Sequence, residues 1–280
     1  MSARYLLVDV FARAPLEGNG LVVFPDPGSV EPSKMQKIAR EMNLSETTFV
    51  TGYGTNDYDV RIFTPSDELP FAGHPTLGTA WVLRRHLGLL GADEVIQKSA
   101  AGETSVTFDK EKVWLERTGS GGEDLDDVSE MLSLLGLSVQ EVGFDAAEIG
   151  GRSTALKPAV TDIGVRQLML PLASPDVVQS LRAPASVPYA DGVYCVAPLG
   201  PGRVKGRFFA PGIGVAEDPA TGSAATGLGV YLGARAGDLD IEIEQGAEIA
   251  RPSFISLQAR DGSARVGGEV RLVAEATLHA

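Results

Sequence analysis

Cysteine is almost missing from this chain. Cys195 is the only one in 280 residues, which excludes an intrachain disulfide and fits a reducing compartment. It lies in the apolar run Val193 to Val196 and reads as a buried strand residue. Histidine is scarce as well. His74, His86 and His279 form no cluster with metal-ligand spacing, so no metal is expected. No apolar run approaches the roughly 18 residues of a membrane span. Met1 to Phe11 lacks a basic segment followed by a long apolar stretch, so a soluble cytoplasmic protein is expected. Positive charge is in deficit, with 24 basic against 37 acidic residues and a net of −13. Such a surface repels nucleic acid and anionic membrane, and neither is expected as a partner. The usual fingerprints are missing too. There is no dinucleotide-binding glycine pattern, no Lys-Ser/Thr follows Gly222 and Gly227, and no G-x-S-x-G elbow occurs. No cofactor is expected.

What the chain does have is one stretch written twice. Arg61-Ile-Phe-Thr-Pro65 leads to Glu68-Leu-Pro70-Phe-Ala-Gly73-His74-Pro75-Thr76 and an apolar run to Leu83. Arg207-Phe-Phe-Ala-Pro211 leads to Glu217-Asp-Pro219-Ala-Thr-Gly222-Ser223 and the uncharged run Ala224 to Ala234. Gly78 matches Gly227 and Leu83 matches Leu232 in the same register. A helix apolar on every face is buried. Pro75 suits the first helical position, and Arg84, Arg85, His86 and Arg235 suit the last turn, where positive charge favours the helix dipole. The unpaired N–H groups at such a helix start bind anions. Two similar domains, each built on a central helix, follow from the repeat.

The length suits two domains. Gly119 to Gly122 is the best linker candidate. The expected domains are residues 1–118 and 123–280, with the last strand a candidate to return to the first domain. The first half reads as strands at Tyr5 to Phe11, Leu21 to Phe24 and Tyr58 to Thr64, with a hairpin signal at Asn19-Gly20 and a helix capped by Ser33. A helix is expected from Asp124 to Leu135, and a short one from Ser174 to Leu181 with Ser174 as cap. Many short strands around one long helix per half make an α+β pattern, each sheet rolled around its helix.

Four polar residues stand where chemistry is plausible. Glu46 lies between a loop and a strand among Ser and Thr. His74 and Ser223 occupy matching positions at the two helix starts, and Asp218 precedes the second. Taken singly, each has an ordinary structural explanation as a turn former or helix-start residue. Together, two carboxylates and an imidazole around anion-binding helix ends suit proton transfer at a carbon beside an acid group.

These residues also carry a family likeness. Asp9-Val10-Phe11, Gly18-Asn19, Met42-Asn43-Leu44-Ser45-Glu46-Thr47, the block Phe63 to Ala80 and Gly214 to Ala225 closely resemble the PhzF-like proteins of phenazine biosynthesis, on the diaminopimelate-epimerase fold. Arg251-Pro252-Ser253 and Val266-Gly267-Gly268 fit the family's C-terminal pattern. The resemblance covers nearly the whole length. It implies two related domains with the site in the cleft between them, and a homodimer. It implies that Glu46 moves the proton, with His74, Asp218 and Ser223 as the other polar site residues. Gly73 and Gly222 would offer backbone N–H groups to a substrate carboxylate. The related epimerases use two cysteines as an acid/base pair; the matching positions here are Ala72 and Ala220, which removes that mechanism. One departure is Gly20, where the family often has Pro after Gly-Asn. The function so implied is a cofactor-independent isomerase acting by general acid/base catalysis on a small carboxylate-bearing, amino-acid-like substrate. The family's named reaction is isomerisation of a dihydro-hydroxyanthranilate. The alternatives are an amino-acid epimerase and a silent small-molecule binding protein of the same fold.

Overall fold

The computed structural model describes residues 2–279. The elements in chain order begin β1 (Ser2–Val10), β2 (Asn19–Phe24), α1 (Pro32–Met42), β3 (Glu46–Tyr53), β4 (Asp57–Phe63), β5 (Glu68–Leu69) and α2 (Gly73–Trp81). Then come β6 (Glu94–Ser99), β7 (Gly102–Asp109), β8 (Lys112–Thr118), β9 (Ser120–Asp124), α3 (Ser129–Leu135), β10 (Ala159–Asp162), β11 (Arg166–Pro171) and α4 (Pro175–Ser180). The chain ends with β12 (Gly192–Gly200), β13 (Arg203–Ala210), β14 (Val215–Asp218), α5 (Gly222–Ala236), β15 (Leu239–Gln245), β16 (Ser253–Arg260) and β17 (Ser263–His279). Two compact units result. One is Met1–Leu115 with Gly267–Ala280, and the other is Glu116–Val266.

The two units repeat one strand plan. In the first, β17 pairs antiparallel with β1 and β1 with β2, β2 runs parallel to β3, and β3 is antiparallel to β4. β4 then takes β5 antiparallel and β6 parallel, and β6 is antiparallel to β7. In the second, β9, β10 and β11 pair antiparallel in turn, β11 runs parallel to β12, and β12 is antiparallel to β13. β13 takes β14 antiparallel and β15 parallel, and β15 is antiparallel to β16. Parallel neighbours need a crossover, and a helix supplies each one. α1 and α4 make the first crossover of each unit, and α2 and α5 the second. The fold is α+β and pseudo-repeated, a rolled sheet around a central helix in each unit.

The central helices are buried along their length, as their all-round apolar sequence requires. Glycine lets them lie against the strands. A Cβ on Gly78 would sit 2.5 Å from Leu21 Cδ2, and one on Gly233 would sit 2.0 Å from the Arg260 carbonyl oxygen. The opposite faces of the sheets carry the other helices. α1 packs Met35, Ile38 and Ala39 onto Phe24, Phe49 and Phe63. The Phe24 and Phe49 rings stack at 4.9 Å, and Phe63 meets Phe49 edge-on at 5.5 Å. α3 and α4 cover Leu168, Leu170, Val193 and Cys195 in the second unit. With both faces covered, β12 is buried from Gly192 through Pro198, which explains its unbroken apolar run.

Several local expectations change. α2 begins at Gly73, so Pro75 is its third residue and not its first; the extended backbone of Ala72 sets the start. After Trp81 the helix widens into a π turn over Val82–His86. α1 starts at Pro32 with Glu31 as its N-cap, two residues ahead of the Ser33 cap expected, because proline takes a helix-start position. β1 and β2 do form a hairpin, but its connection lies before Asn19-Gly20. Both residues already pair with β1, as Asn19 with Val10 and Gly20 with Asp9. The glycine-rich linker expected at Gly119 to Gly122 is mostly strand β9, paired with β10. The helix expected from Asp124 starts only at Ser129. Ser174 does cap α4, accepting a hydrogen bond from the Val177 amide. Among the described residues no helix is long and apolar enough to cross a membrane.

The repeated Arg–Glu of the sequence forms a repeated ion pair. Arg61 holds Glu68 through Nε and Nη2 at 2.7 and 2.6 Å, and Arg207 holds Glu217 the same way at 2.8 and 2.6 Å. Each guanidinium lies 5.0 Å from a phenylalanine ring centre, Phe63 or Phe209. The environments differ. The side chains of the first pair are 35% and 39% exposed, those of the second 6% and 8%. Arg207 also donates to the carbonyls of Val178, Gln179 and Leu181, closing the end of α4. Breaking a buried pair by removing one partner costs about 3–5 kcal/mol, whereas an exposed pair contributes about 0–1 kcal/mol. Glu217→Gln is therefore expected to lower the urea-unfolding free energy by about 3 kcal/mol, and Glu68→Gln by less than about 1 kcal/mol. Equal losses would show that burial does not govern the two pairs.

Candidate active site

The start of α2 brings together three of the residues singled out by sequence. Gly73 opens the helix, His74 follows, and Glu46 opens the strand β3. A hydrogen bond of 2.9 Å between the Thr48 and Thr79 hydroxyls ties β3 to α2 further along. That tie sets Glu46 beside the helix start. Oε2 of Glu46 lies 3.3 Å from Nε2 of His74, with side chains 15% and 6% exposed. No side chain caps α2, so its first amides remain to serve an anion.

The surroundings decide where the protons sit. Burial drives the His74 pKa down to about 3, partly opposed by a hydrogen bond from the ring to the Gly20 backbone. The imidazole is therefore neutral at ordinary pH. Nε2 faces Glu46, so the hydrogen bond to Gly20 is assigned to Nδ1–H, and the neutral ring has its lone pair on Nε2. Nε2 is buried and in contact with Glu46 without an aligned hydrogen bond. For such a bond to form, the proton must come from the Glu46 carboxyl. Protonated Glu46 would complete that bond and hold its proton at the imidazole. Gly20, which stands far from His74 in sequence, holds the imidazole through its backbone.

The start of α5 gathers the rest. Asp218 ends β14, Thr221 is the N-cap residue, and Gly222 and Ser223 open the helix. The Thr221 hydroxyl lies 2.6 Å from Asp218 Oδ2, and Thr221 makes no side-chain cap bond to the helix. Gln167 Nε2 donates to the Ser223 hydroxyl at 3.1 Å. The strand registers show how this half diverged. Thr47 opposes Phe63 and Val193 opposes Phe209, which makes Gly192 the counterpart of Glu46. Leu21 opposes Glu46 and Gln167 opposes Gly192, which makes Gln167 the counterpart of Leu21. The second unit thus has Gly192 and Ser223 where the first has Glu46 and His74. A Cβ at Gly192 would sit 2.4 Å from Phe208 Cζ, so no carboxylate fits there. Gln167 and Thr221 escape sequence reading because their partners are distant in the chain, but the Gly78/Gly227 match would have pointed to Gln167. A Cβ on Gly227 would lie 2.9 Å from Gln167 Oε1 as one on Gly78 would meet Leu21.

Cys195 lies on β12. It is fully buried in the core under α3 and α4, and burial pushes its thiol pKa up. Among the described residues no group of three or more His, Cys, Asp or Glu is placed to hold a metal ion.

Sheets rolled around two helices, with a carboxylate against a neutral imidazole at one helix start, define a protein of the epimerase-like α+β class. The family model described as phenazine biosynthesis-like protein matches residues 8–277, and the chain belongs to that family. It is 37% identical to the trans-2,3-dihydro-3-hydroxyanthranilate isomerase of Pseudomonas chlororaphis, over 91% of this chain and 90% of that protein. A solved PhzF-family structure from Enterococcus faecalis superposes with a TM-score of 0.81 at 25% identity, covering 100% of both chains. A structure from Pseudomonas aeruginosa described as a predicted epimerase gives 0.75 at 30% identity, covering 99% of each. The protein is an isomerase of this family.

Two outcomes follow. His74 is neutral in the fold but takes up a proton when unfolded, near its ordinary value of 6.5. Below that value the unfolded state binds the extra proton, so stability falls as pH drops from about 6.5 towards about 3, by up to about 1.4 kcal/mol per unit. His74→Phe flattens this slope, which urea unfolding at stepped pH measures. An unchanged slope would place the imidazole in water. Iodoacetamide is expected to leave the native protein unlabelled and to label one thiol in denaturant, as mass spectrometry reads.

Proposed function

We propose that the protein isomerises a small carboxylate-bearing, amino-acid-like compound of the dihydro-hydroxyanthranilate kind by proton transfer through Glu46. The observation that carries this reading is the 3.3 Å approach of Glu46 to the buried neutral His74, beside an uncapped helix start. An isomerisation leaves the proton count unchanged. One carboxyl group suffices if it delivers its proton at one carbon and takes another back from a second position. His74 holds the proton against Glu46 between these events through the Nε2 lone pair. Gly73, the first residue of α2, offers its amide to a substrate carboxylate, and Gly222 opens α5 in the same way. Asp218 and Ser223 are the polar groups at the start of α5, Asp218 as an anion and Ser223 as a hydroxyl. The proposed working form is a cytoplasmic homodimer, which light scattering tests.

Glu46→Gln preserves size and hydrogen bonding but carries no proton. General acid/base groups contribute about 100- to 10,000-fold, so turnover is expected to fall at least about 100-fold with substrate affinity kept. Turnover is read as deuterium entering carbon positions in heavy water, and affinity by calorimetry. If the variant exchanges protons near the native rate, Glu46 is a structural strand residue and the reading fails.

A further inference from the structure

A line of buried hydrogen bonds runs to Asp218 from the far side of the second sheet. The Tyr194 hydroxyl donates to Gln245 Oε1 at 2.8 Å. Gln245 Nε2 then donates twice, to the Asp218 carbonyl at 2.8 Å and to the Thr221 hydroxyl oxygen at 3.1 Å. Tyr194 and Gln245 are almost wholly buried, at 0% and 1% exposure. The direction of each bond is forced. The Asp218 carbonyl can only accept, which puts Nε2 of Gln245 on it and turns Oε1 to the Tyr194 hydroxyl. Since Thr221 Oγ1 accepts from Nε2, its own proton turns to Asp218 Oδ2, 2.6 Å away. A hydrogen bond given to a carboxylate favours its charged form.

We infer that Tyr194, Gln245 and Thr221 form a positioning relay that holds Asp218 ionised at the start of α5. The same relay keeps the Thr221 hydroxyl from capping the helix, so the α5 amides stay open to an anion. Asp218 faces a donor and keeps its charge, whereas Glu46 faces the Nε2 lone pair of a neutral imidazole. The first unit supplies a contrast. There Tyr58 donates to Gln97 Oε1 at 3.0 Å, Gln97 Nε2 to Thr76 Oγ1 at 2.7 Å, and Thr76 Oγ1 to the Ala72 carbonyl at 2.8 Å. That relay ends on backbone and braces a helix start without touching a carboxylate. The charges on the strands around Asp218 are paired elsewhere, Arg207 with Glu217, Lys205 with Glu248 and Arg203 with Glu244. The titratable group on Asp218's own side is Tyr194, whose pKa burial pushes up, so it stays a neutral donor.

The inference deepens the isomerase reading by giving Asp218 a charge state, but its test does not need turnover. Aspartate labelled with carbon-13 at the side-chain carboxyl reports each titration by NMR, and Asp218→Asn assigns the signal. Thr221→Val is expected to raise the Asp218 midpoint by about one pH unit or more, and Thr221→Ser to restore it. Gln245→Leu is expected to raise it as well by freeing the Thr221 hydroxyl. Should Gln245→Leu fail to fold, Tyr194→Phe removes a single oxygen and shifts the midpoint in the same direction. Gln97→Leu, which breaks the first unit's own relay, leaves the Asp218 midpoint in place. An Asp218 midpoint that stays put in folded Thr221→Val overturns the relay, whatever the enzyme turns over. In the kinetic arm the acid limb of the kcat profile moves up with the NMR midpoint while KM changes little. A loss of stability alone, with both profiles unmoved, reduces the relay to packing.

Discussion

The structure depends on a helix start that is buried and not capped by its own side chains. The first amides of a helix lack partners within it, and natural sequences usually supply Ser, Thr, Asp or Asn to fill the gap. Here α2 is preceded by Ala72, and α5 by a threonine whose hydroxyl is committed to Asp218. Keeping such ends dry and fixed requires that the rest of each helix cannot move. The fixing is steric. Glycines at 78, 227, 229 and 233 bring helix backbone within a methyl group's reach of the surrounding strands. Strand burial on two faces, the outer helices and the Arg–Glu braces all serve to keep those contacts closed.

On that shared frame the two copies took different chemistry. The first put a carboxylate on the strand that lies beside the helix start and an imidazole on the helix. The second gave up the carboxylate to a phenylalanine ring at Gly192, moved its polar strand residue one strand over to Gln167, and placed its acid on the approach to the helix. Each copy keeps an open helix start, and the polar groups beside the two starts are unlike.

Much of this was legible in the sequence because it is local. An uncharged Gly/Ala helix announces burial, and a repeated Arg-x-Phe, Glu and Gly series announces a repeated unit. Glu46 and His74 were legible as candidates through the family's motifs, and the structure brings them into contact. What escaped was non-local. Gly20 gave no sign of touching His74, because the contact uses backbone and depends on β2 lying beside β3. Gln245 and Tyr194 lie on separate strands and read as ordinary core. The linker reading of Gly119 to Gly122 failed because glycine also serves where strands crowd. A Cβ on Gly122 would fall 2.1 Å from the Val160 carbonyl oxygen, and its φ is 73°, so glycine is there for closeness and for its left-handed backbone within a strand.

The Gly20 contact carries a consequence for how such a site evolves. The group that fixes the imidazole tautomer is a peptide oxygen, and every residue brings one. Substitution cannot delete it. The side-chain chemistry at His74 is thereby anchored to an element that mutation can shift but not erase, and a catalogue of conserved side chains would pass over it. Drift in substrate choice can proceed through neighbouring side chains while the ring's proton stays on the same nitrogen.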